Sequence, residues 1–307
     1  MRTGTSSFNL AILSVVATTI IVGIFMVLLL PAGVVSAAQP VVPEGLTIAP
    51  VRAELTISPG TVQTGQLTIY NTTNSSLSVA MSAESFSVTN PQYDYAFDPT
   101  SNIIRWVQFD QNNVMLLPGK SMLITYSIAV PLGASPGGEY ISLFATTTID
   151  QSGQGLSSSE RVGSLLYITV SGDATHSGRL QSLLTPWITA GSSSWTATIQ
   201  NTGTAHFTSD YDMRVETLWN SPVSSSSGSS LILPGTMRLI SGSIAQPNIP
   251  GIYKLVFSAG LGDSPSARLE HYIIYMPLYA WCIFVLVLAF IMTRVIQIVK
   301  RKRNAAK

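Results

Sequence analysis

A run of apolar residues from Ile273 to Ile298 leads directly into Lys300-Arg301-Lys302-Arg303. About twenty apolar residues are enough to cross a bilayer as a helix, and bases clustered beside one end keep that end cytoplasmic. The pattern predicts a transmembrane helix over 273–298 and a basic cytoplasmic tail over 299–307. Everything upstream then faces outward, a single-pass arrangement in the cell membrane with an extracellular N-terminal region. Tyr275, Tyr279 and Trp281 fall at the expected outer boundary, where amphipathic rings are favoured. Arg294 falls near the inner one, where a long side chain can snorkel.

A second apolar stretch, Ala11 to Leu30, opens the chain. It is longer than the usual core of a secretory signal. Arg2, the helix breakers Pro31 and Gly33, and the small-residue signature Val35-Ser36-Ala37 nevertheless favour a cleaved signal peptide over residues 1–37. If it is retained as a signal anchor, the chain becomes a two-helix hairpin with both ends inside. The region between still lies outside.

That region is acidic. All fifteen Asp and Glu lie between Glu44 and Glu270, with nine of the sixteen Lys and Arg, which gives roughly minus six. Such a balance disfavours nucleic acid, whose phosphates call for a basic face. The one cysteine, Cys282, sits in the C-terminal apolar segment, so no disulfide can brace the exported part. Its stability has to come from ordinary cores, and its length is enough for two.

An internal repeat says how those cores are built. LLPGKSMLITYSIAVP (116–131) and ILPGTMRLISGSIAQP (232–247) agree at nine of sixteen positions. Upstream, LTIYNTTNSS (67–76) answers ATIQNTGTAH (197–206); downstream, PGGEYISLFA (136–145) answers PGIYKLVFSA (250–259). The blocks come in the same order in both halves, so the chain reads as a duplicated module over 45–171 and 174–272. Leu67 and Ile69 alternate with Thr68 and Tyr70, the period of a half-buried strand, and Asn71 with its threonines supplies the turn that ends it. Pro118-Gly119 suits the centre of a type II turn. Short strands, turn signals and little helical periodicity outside the membrane segments predict an all-β fold of two tandem Ig-like or fibronectin-like sandwiches.

Between the Asn-Thr turn and the Pro-Gly turn the first copy is about fourteen residues longer, and the surplus is placed in 90–106. Tyr93, Tyr95 and Phe97 alternate there, so they are expected to present one aromatic face suited to a sugar or a partner protein. These three are the candidate ligand-binding residues. The plainer alternative is an extra hairpin whose rings pack on the sandwich.

The order SPG (58–60), TGQLTIYNTTN (64–74), Trp106, LLPGKSMLITYSIAVPLGASPGGEYISLFATTT (116–148) and RVGSLLYITVSG (161–172) resembles the peptidoglycan-binding, fibronectin-like domain of Gram-positive WxL-interacting proteins. The likeness covers residues 48–172 by motif and the remainder by layout. It implies a surface protein with a signal peptide, two sandwiches and a C-terminal anchor, and peptidoglycan as the ligand of the first sandwich.

Nothing in the sequence assigns catalysis. His176, His206 and His271 are far apart and carry no metal-site spacing, and no nucleophile elbow, zinc motif or phosphate loop occurs. Asp94/Asp98 and Asp210/Asp212 lack the spacing of a calcium loop and read as turn acceptors. Trp106, Trp187, Trp195 and Trp219 are read as core anchors rather than a carbohydrate platform. The expectation is a non-enzyme without cofactors: a membrane-anchored extracellular binding or adhesion protein that contacts cell-wall glycan or a surface protein. A structural accessory subunit of a larger membrane complex is the alternative.

Overall fold

The computed structural model describes residues 45–151 and 156–305, those of 148–151, 156–158 and 300–305 by their backbone alone. The expected signal segment, 1–37, lies outside the described residues. Ten strands make the first half: β1 (Leu46–Ala49), β2 (Arg52–Ile57), β3 (Val62–Asn71), β4 (Leu77–Val88), β5 (Tyr95–Asp98), β6 (Val107–Phe109), β7 (Asn113–Leu116), β8 (Ser121–Ala129), β9 (Gly137–Gln151) and β10 (Leu156–Val170). Eight make the second: β11 (Gly178–Leu184), β12 (Ile188–Thr189), β13 (Ser193–Asn201), β14 (Phe207–Glu216), β15 (Pro222–Ile232), β16 (Met237–Ile244), β17 (Gly251–Leu261) and β18 (Ser264–Tyr275). Helix α1, Leu278–Ala305, follows.

The repeat in sequence is matched by a repeat in topology. One sheet of the first sandwich runs β1-β3-β8-β6 and its counterpart runs β11-β13-β16. The facing sheets run β2-β10-β9-β4-β5 and β12-β18-β17-β14-β15. In both copies a short early strand pairs in parallel with the last strand, β2 with β10 and β12 with β18, while the other sheet pairs are antiparallel. Lettered in the immunoglobulin manner, this is A-B-E against A′-G-F-C-C′. The first core joins Leu67, Ile69, Ile124 and Ile128 of one sheet to Val79, Ile141, Leu143 and Ile168 of the other. The second is centred on Trp195, Ile199, Met213, Leu255 and Phe257.

Each copy has the same polar pin at the same place. Asn71, only 1% exposed, ends β3 and donates from Nδ2 to the carbonyls of Ser75 (2.7 Å) and Leu116 (3.0 Å), while its Oδ1 accepts the N–H of Thr73 at 2.9 Å. Asn201 does likewise with Ala205 (2.9 Å), Ile232 (2.8 Å) and the N–H of Gly203 (2.8 Å). The residue read from sequence as a turn former therefore ties three chain segments together inside the fold. Gly119 and Gly235, at φ 64° and 69°, close the adjoining Pro-Gly turns.

Four aromatic rings lie over glycines directly opposite them in the ladder: Tyr126 over Gly65, Phe144 over Gly163, Trp195 over Gly242 and Tyr211 over Gly228. A Cβ on Gly242 would come within 2.7 Å of the Trp195 ring. The ring supplies the packing that a strand glycine lacks.

The surplus residues of the first copy form an excursion. After β5 the chain makes a 3-10 turn at Asn102–Trp106, adds β6 to the opposite sheet and returns as β7 beside β4. The edge that is one continuous strand in the second copy, β15, is thereby cut into two four-residue pieces in the first.

At the C-terminal end the boundary between strand and helix differs from the expected one. Ile273 and Tyr275 belong to β18 and are buried in the second sandwich, so their apolar character serves the core and not the lipid. Within α1, the 22 residues Leu278–Val299, which include a stretch of mean hydropathy 2.5, are long and apolar enough to cross a membrane.

Replacing Asn71 with alanine strands the buried Leu116 carbonyl and frees that of Ser75; replacing Asn201 strands the buried carbonyls of Ala205 and Ile232. Each change is expected to lower stability by about 3 kcal/mol, read as a lower midpoint in chemical denaturation, while Asn74→Ala in the exposed part of the same turn leaves the midpoint within about 0.5 kcal/mol of the parent.

Candidate functional site

The loop from β4 to β5 is a tight turn with an unusual occupant. The N–H of Tyr93 bonds the Asn90 carbonyl at 3.0 Å, and the Asn90 carboxamide donates to the Asp94 carboxylate and accepts the Asp94 backbone N–H across it. Tyr93 has φ 72°, a conformation that a bulky residue adopts at a cost of about 1–3 kcal/mol. The same hairpin in the second copy, β14 to β15, puts Asn220 at this place with φ 61°, a residue type that, glycine apart, is among those that tolerate it best.

What offsets the strain at Tyr93 is a docking contact. Its hydroxyl accepts the N–H of Leu233 at 2.7 Å and lies 3.0 Å from Thr236 Oγ1, on the Pro-Gly turn of the second sandwich. The Arg238 guanidinium covers the ring at 4.1 Å and donates to the Leu231 carbonyl at 2.6 Å. Beside it, the Pro91 carbonyl accepts the Leu239 N–H at 2.8 Å. Burial raises the Tyr93 hydroxyl above its ordinary pKa, so it stays protonated at neutral pH.

A second set of contacts lies alongside. Gly138 N–H donates to the Thr204 carbonyl at 2.9 Å, and Tyr140 Oη lies 3.3 Å from His206 Nδ1. The rings of Phe86, Tyr140, Tyr167 and His206 meet edge to face or tilted at centroid distances of 5.4–5.8 Å. His206 is 6% exposed. Burial, and then the positive charges of His176 and Arg52, lower its pKa to about 4. The junction therefore holds a neutral imidazole.

Tyr93 thus lies within the junction, whereas Tyr95 and Phe97 are about two-fifths exposed. Tyr95 packs on Phe86 at 5.5 Å and its hydroxyl reaches that of Tyr167 at 3.3 Å. Phe97 packs on Phe144 at 5.0 Å, with the Arg161 guanidinium on the other ring. Of the three candidate residues, then, the structure brings Tyr95 and Phe97 together on a half-open strip and turns Tyr93 onto the neighbouring module. The sign in the sequence was Tyr at a turn position where Asn stands in the other copy.

The tryptophans divide. Trp195 is a core residue and Trp106 is half-buried, but Trp187 and Trp219 are 68% and 84% exposed. The reading of these two as core anchors is overturned, because both stand on turns beyond the ends of the strands. Lys254 Nζ reaches Asn220 Oδ1 in the Trp219 turn, and with Arg268, Glu216 and Glu270 it forms a charged brace beside it. Asp98 accepts bonds from the Thr100 hydroxyl and, at 2.8 Å, the Thr100 N–H, and these, the hydroxyl first, lower its pKa. Among the described residues no group of three His, Cys, Asp or Glu is placed to hold a metal ion.

The longest strand at an edge of the second sandwich is β15. It pairs with β14 from Phe207↔Ile232 to Glu216↔Pro222 and, among the described residues, has no strand on its other side. Its sequence, PVSSSSGSSLI, carries no charge.

No family model matches the chain, and no curated protein matches it either. The resemblance to WxL-interacting proteins accordingly rests on its motifs alone. Among solved structures the chain is similar to the class 5 fimbriae chaperone CfaA, at 12% identity and a TM-score of 0.42, over 76% of this chain and 100% of that one. It is also similar to a chain of the CsuC–CsuE chaperone and tip subunit complex from Csu pili of Acinetobacter baumannii (12%, TM-score 0.38, 73% and 97%). A third likeness is to a chain of the Salmonella enterica SafA pilin complex with the SafB chaperone (12%, TM-score 0.36, 77% and 98%). Likenesses at this level carry no argument about what the chain does.

Two outcomes are expected at the junction. Tyr93→Phe leaves the Leu233 N–H buried without an acceptor and lowers stability by about 1–2 kcal/mol, with faster hydrogen exchange at that amide as the local readout. For His206, an unfolded chain protonates near pH 6.5 and the folded one near 4. Between those values the unfolded chain binds more protons, so stability falls as the pH drops through this window and levels off below it. The loss is on the order of 2 kcal/mol, discounted for partial solvent access. Denaturation midpoints from pH 7 to 4 check it, with His206→Phe expected to flatten that part of the slope.

Proposed function

We propose that this chain is a membrane-anchored binding protein of the cell surface, whose paired sandwiches engage a partner protein through an open sheet edge. The observation that carries the reading is β15, an eleven-residue uncharged edge strand in a chain that ends in a helix of membrane length. Sheet edges in soluble proteins are usually shortened, charged or covered, because a long plain edge pairs with foreign strands. In the first sandwich the corresponding edge is broken into β5 and β7; in the second it is left whole. A strand added beside β15 gains main-chain hydrogen bonds up to Leu231, whose carbonyl Arg238 already holds. The positive tail Lys300 to Arg303 supports an orientation with the sandwiches outside.

The resemblance to WxL-interacting proteins extends the reading to the cell wall, with peptidoglycan on the first sandwich. Tyr95 and Phe97, half-open and ring to ring at 6.4 Å, are the residues that fit a sugar face there. No catalytic step belongs to the proposal. An accessory-subunit role is favoured by the same edge if the added strand comes from a permanent membrane partner.

Successive residues of a strand turn their N–H groups to opposite sides, which separates folding from binding. Of Ser226→Pro and Ser227→Pro, one removes a bond to β14 and lowers the melting temperature. The other removes only an outward donor, leaves the melting temperature in place and abolishes capture of the partner from solubilised envelopes. Equal partner capture by parent and both variants sinks the strand-edge reading. Retention of the full chain on purified cell wall, lost in Tyr95→Ala with Phe97→Ala, checks the glycan arm.

A further inference from the structure

Three turns of the second sandwich lie at the end from which α1 departs. The register places them: Gly251 and Thr189 both stand opposite Tyr275, the last residue of β18, and Glu216 stands opposite Lys254. The segments 185–192, 217–221 and 245–250 therefore flank the root of the helix. None of them contains a charged residue. Each exposes a large apolar side chain: Trp219 at 84% and Ile249 at 69% in the turns themselves, and Trp187 at 68% one residue before β12, where its carbonyl accepts the Ile274 N–H.

The length of the helix fixes how near they come to lipid. The 22 predominantly apolar residues Leu278–Val299 span roughly 33 Å at the rise of an α-helix, and the hydrocarbon core is about 30 Å thick. Little apolar length is left over, so Leu278 has to lie close to the hydrocarbon boundary. From Tyr275 to Leu278 the chain reaches at most about 11 Å, and β18 is bound into the sandwich up to its last residue. The headgroup layer is about 5–8 Å deep on each side.

We propose that the base of the second sandwich is seated in the headgroup layer of the bilayer, with Trp187, Trp219 and Ile249 as interfacial contacts. The inference rests on the membrane-anchored reading above and adds a second attachment to it. Trp is the side chain most suited to that layer, having an apolar body and one N–H donor. The Trp219 turn is held ready by the Lys254 contact to Asn220. The duplication supports it too. In the first copy the corresponding turns, 89–94 and 131–137, form the end that docks on the second sandwich through Pro91 and Tyr93. The same end of the second copy has no further module beneath it among the described residues, only the root of α1. Seated at three points around the helix, the pair of sandwiches stands as a post instead of swinging from a tether.

The protein offers its own control, since Cys282 is its one cysteine and lies in α1. The full chain is placed in liposomes of phosphatidylcholine with phosphatidylglycerol, carrying lipids brominated near the top of the acyl chain. An environment-sensitive fluorophore is attached in turn to Cys282 and, in a Cys282→Ser background, to Trp187→Cys, Trp219→Cys, Ile249→Cys and the far-end control Asn74→Cys. Quenching several-fold above the Asn74 site is expected at 187, 219 and 249 as well as at 282. Quenching at 282 with water-like signals at the three turns overturns this inference and leaves the anchor standing. A water-like signal at 282 overturns the anchored reading and this inference with it. A second measurement uses exposed positions that do not threaten the fold: Trp187→Ser with Trp219→Ser lowers the anisotropy of a label at position 74 if the base is seated and leaves it unchanged if it is not.

Discussion

Each sandwich depends on one buried carboxamide. Asn71 and Asn201 satisfy a carbonyl on the strand that leads to the Pro-Gly turn, a carbonyl in their own turn, and an N–H two residues on. An amide has two donors and an acceptor on one rigid plane, and no other uncharged side chain of that size offers the same set. The bonds lie where β3 hands the chain to the opposite sheet, and β13 does so in the second copy. They hold the two layers in register at a point where sheet hydrogen bonds have ended. Asn71 and Asn201 also shape the turns on which the next contact is built, since Thr204 in the Asn201 turn supplies a carbonyl to Gly138.

From that pin the structure passes to the joint. The Pro-Gly turn of the second sandwich offers an unbonded N–H at Leu233, and the Tyr93 hydroxyl takes it. A tyrosine in a left-handed turn position is costly by itself, and it is kept where ring burial, an arginine over its face and two hydroxyl contacts act together. The neighbouring rings of Phe86, Tyr140 and Tyr167 are continuous with the core of the second module, so that core extends into the lower end of the first sandwich. A joint of this kind does not behave as a flexible link between beads.

Much of the fold was legible in the chain because its signals were local and stated twice. Period-two strands such as 67–70, the Pro-Gly turns and the repeated blocks point to paired sandwiches, and the sheets carry the same order in both copies. The site was less legible. Alternation placed Tyr93 with Tyr95 and Phe97, but periodicity holds only inside a strand, and β5 starts at Tyr95; the turn sets the direction of Tyr93. Trp187 and Trp219 misled in the opposite sense. Large aromatics are usually buried, and only their place on turns beyond the strand ends reveals that they are not. The apolar run at 273–275 looked continuous with the helix because burial in a sandwich and burial in lipid select the same side chains.

The duplicated module has two unlike ends, and this difference organises the chain. One end gives: it carries the β4 to β5 hairpin and the Pro131 to Gly137 segment in the first copy. The other receives: it carries the Asn turn and the Pro-Gly turn. In the middle of the molecule a giving end meets a receiving end. At the base, the second giving end has traded Tyr93 for Asn220 and Pro91 for Leu218, losing the hydroxyl that bonds a protein turn and gaining Trp219 beside it. At the far tip, the first receiving end presents Leu117 to Lys120 with Met115 and Leu117 in solvent. A module copied whole inherits both surfaces, and the substitutions at the outer two are where one copy can be fitted to lipid and the other to whatever lies beyond.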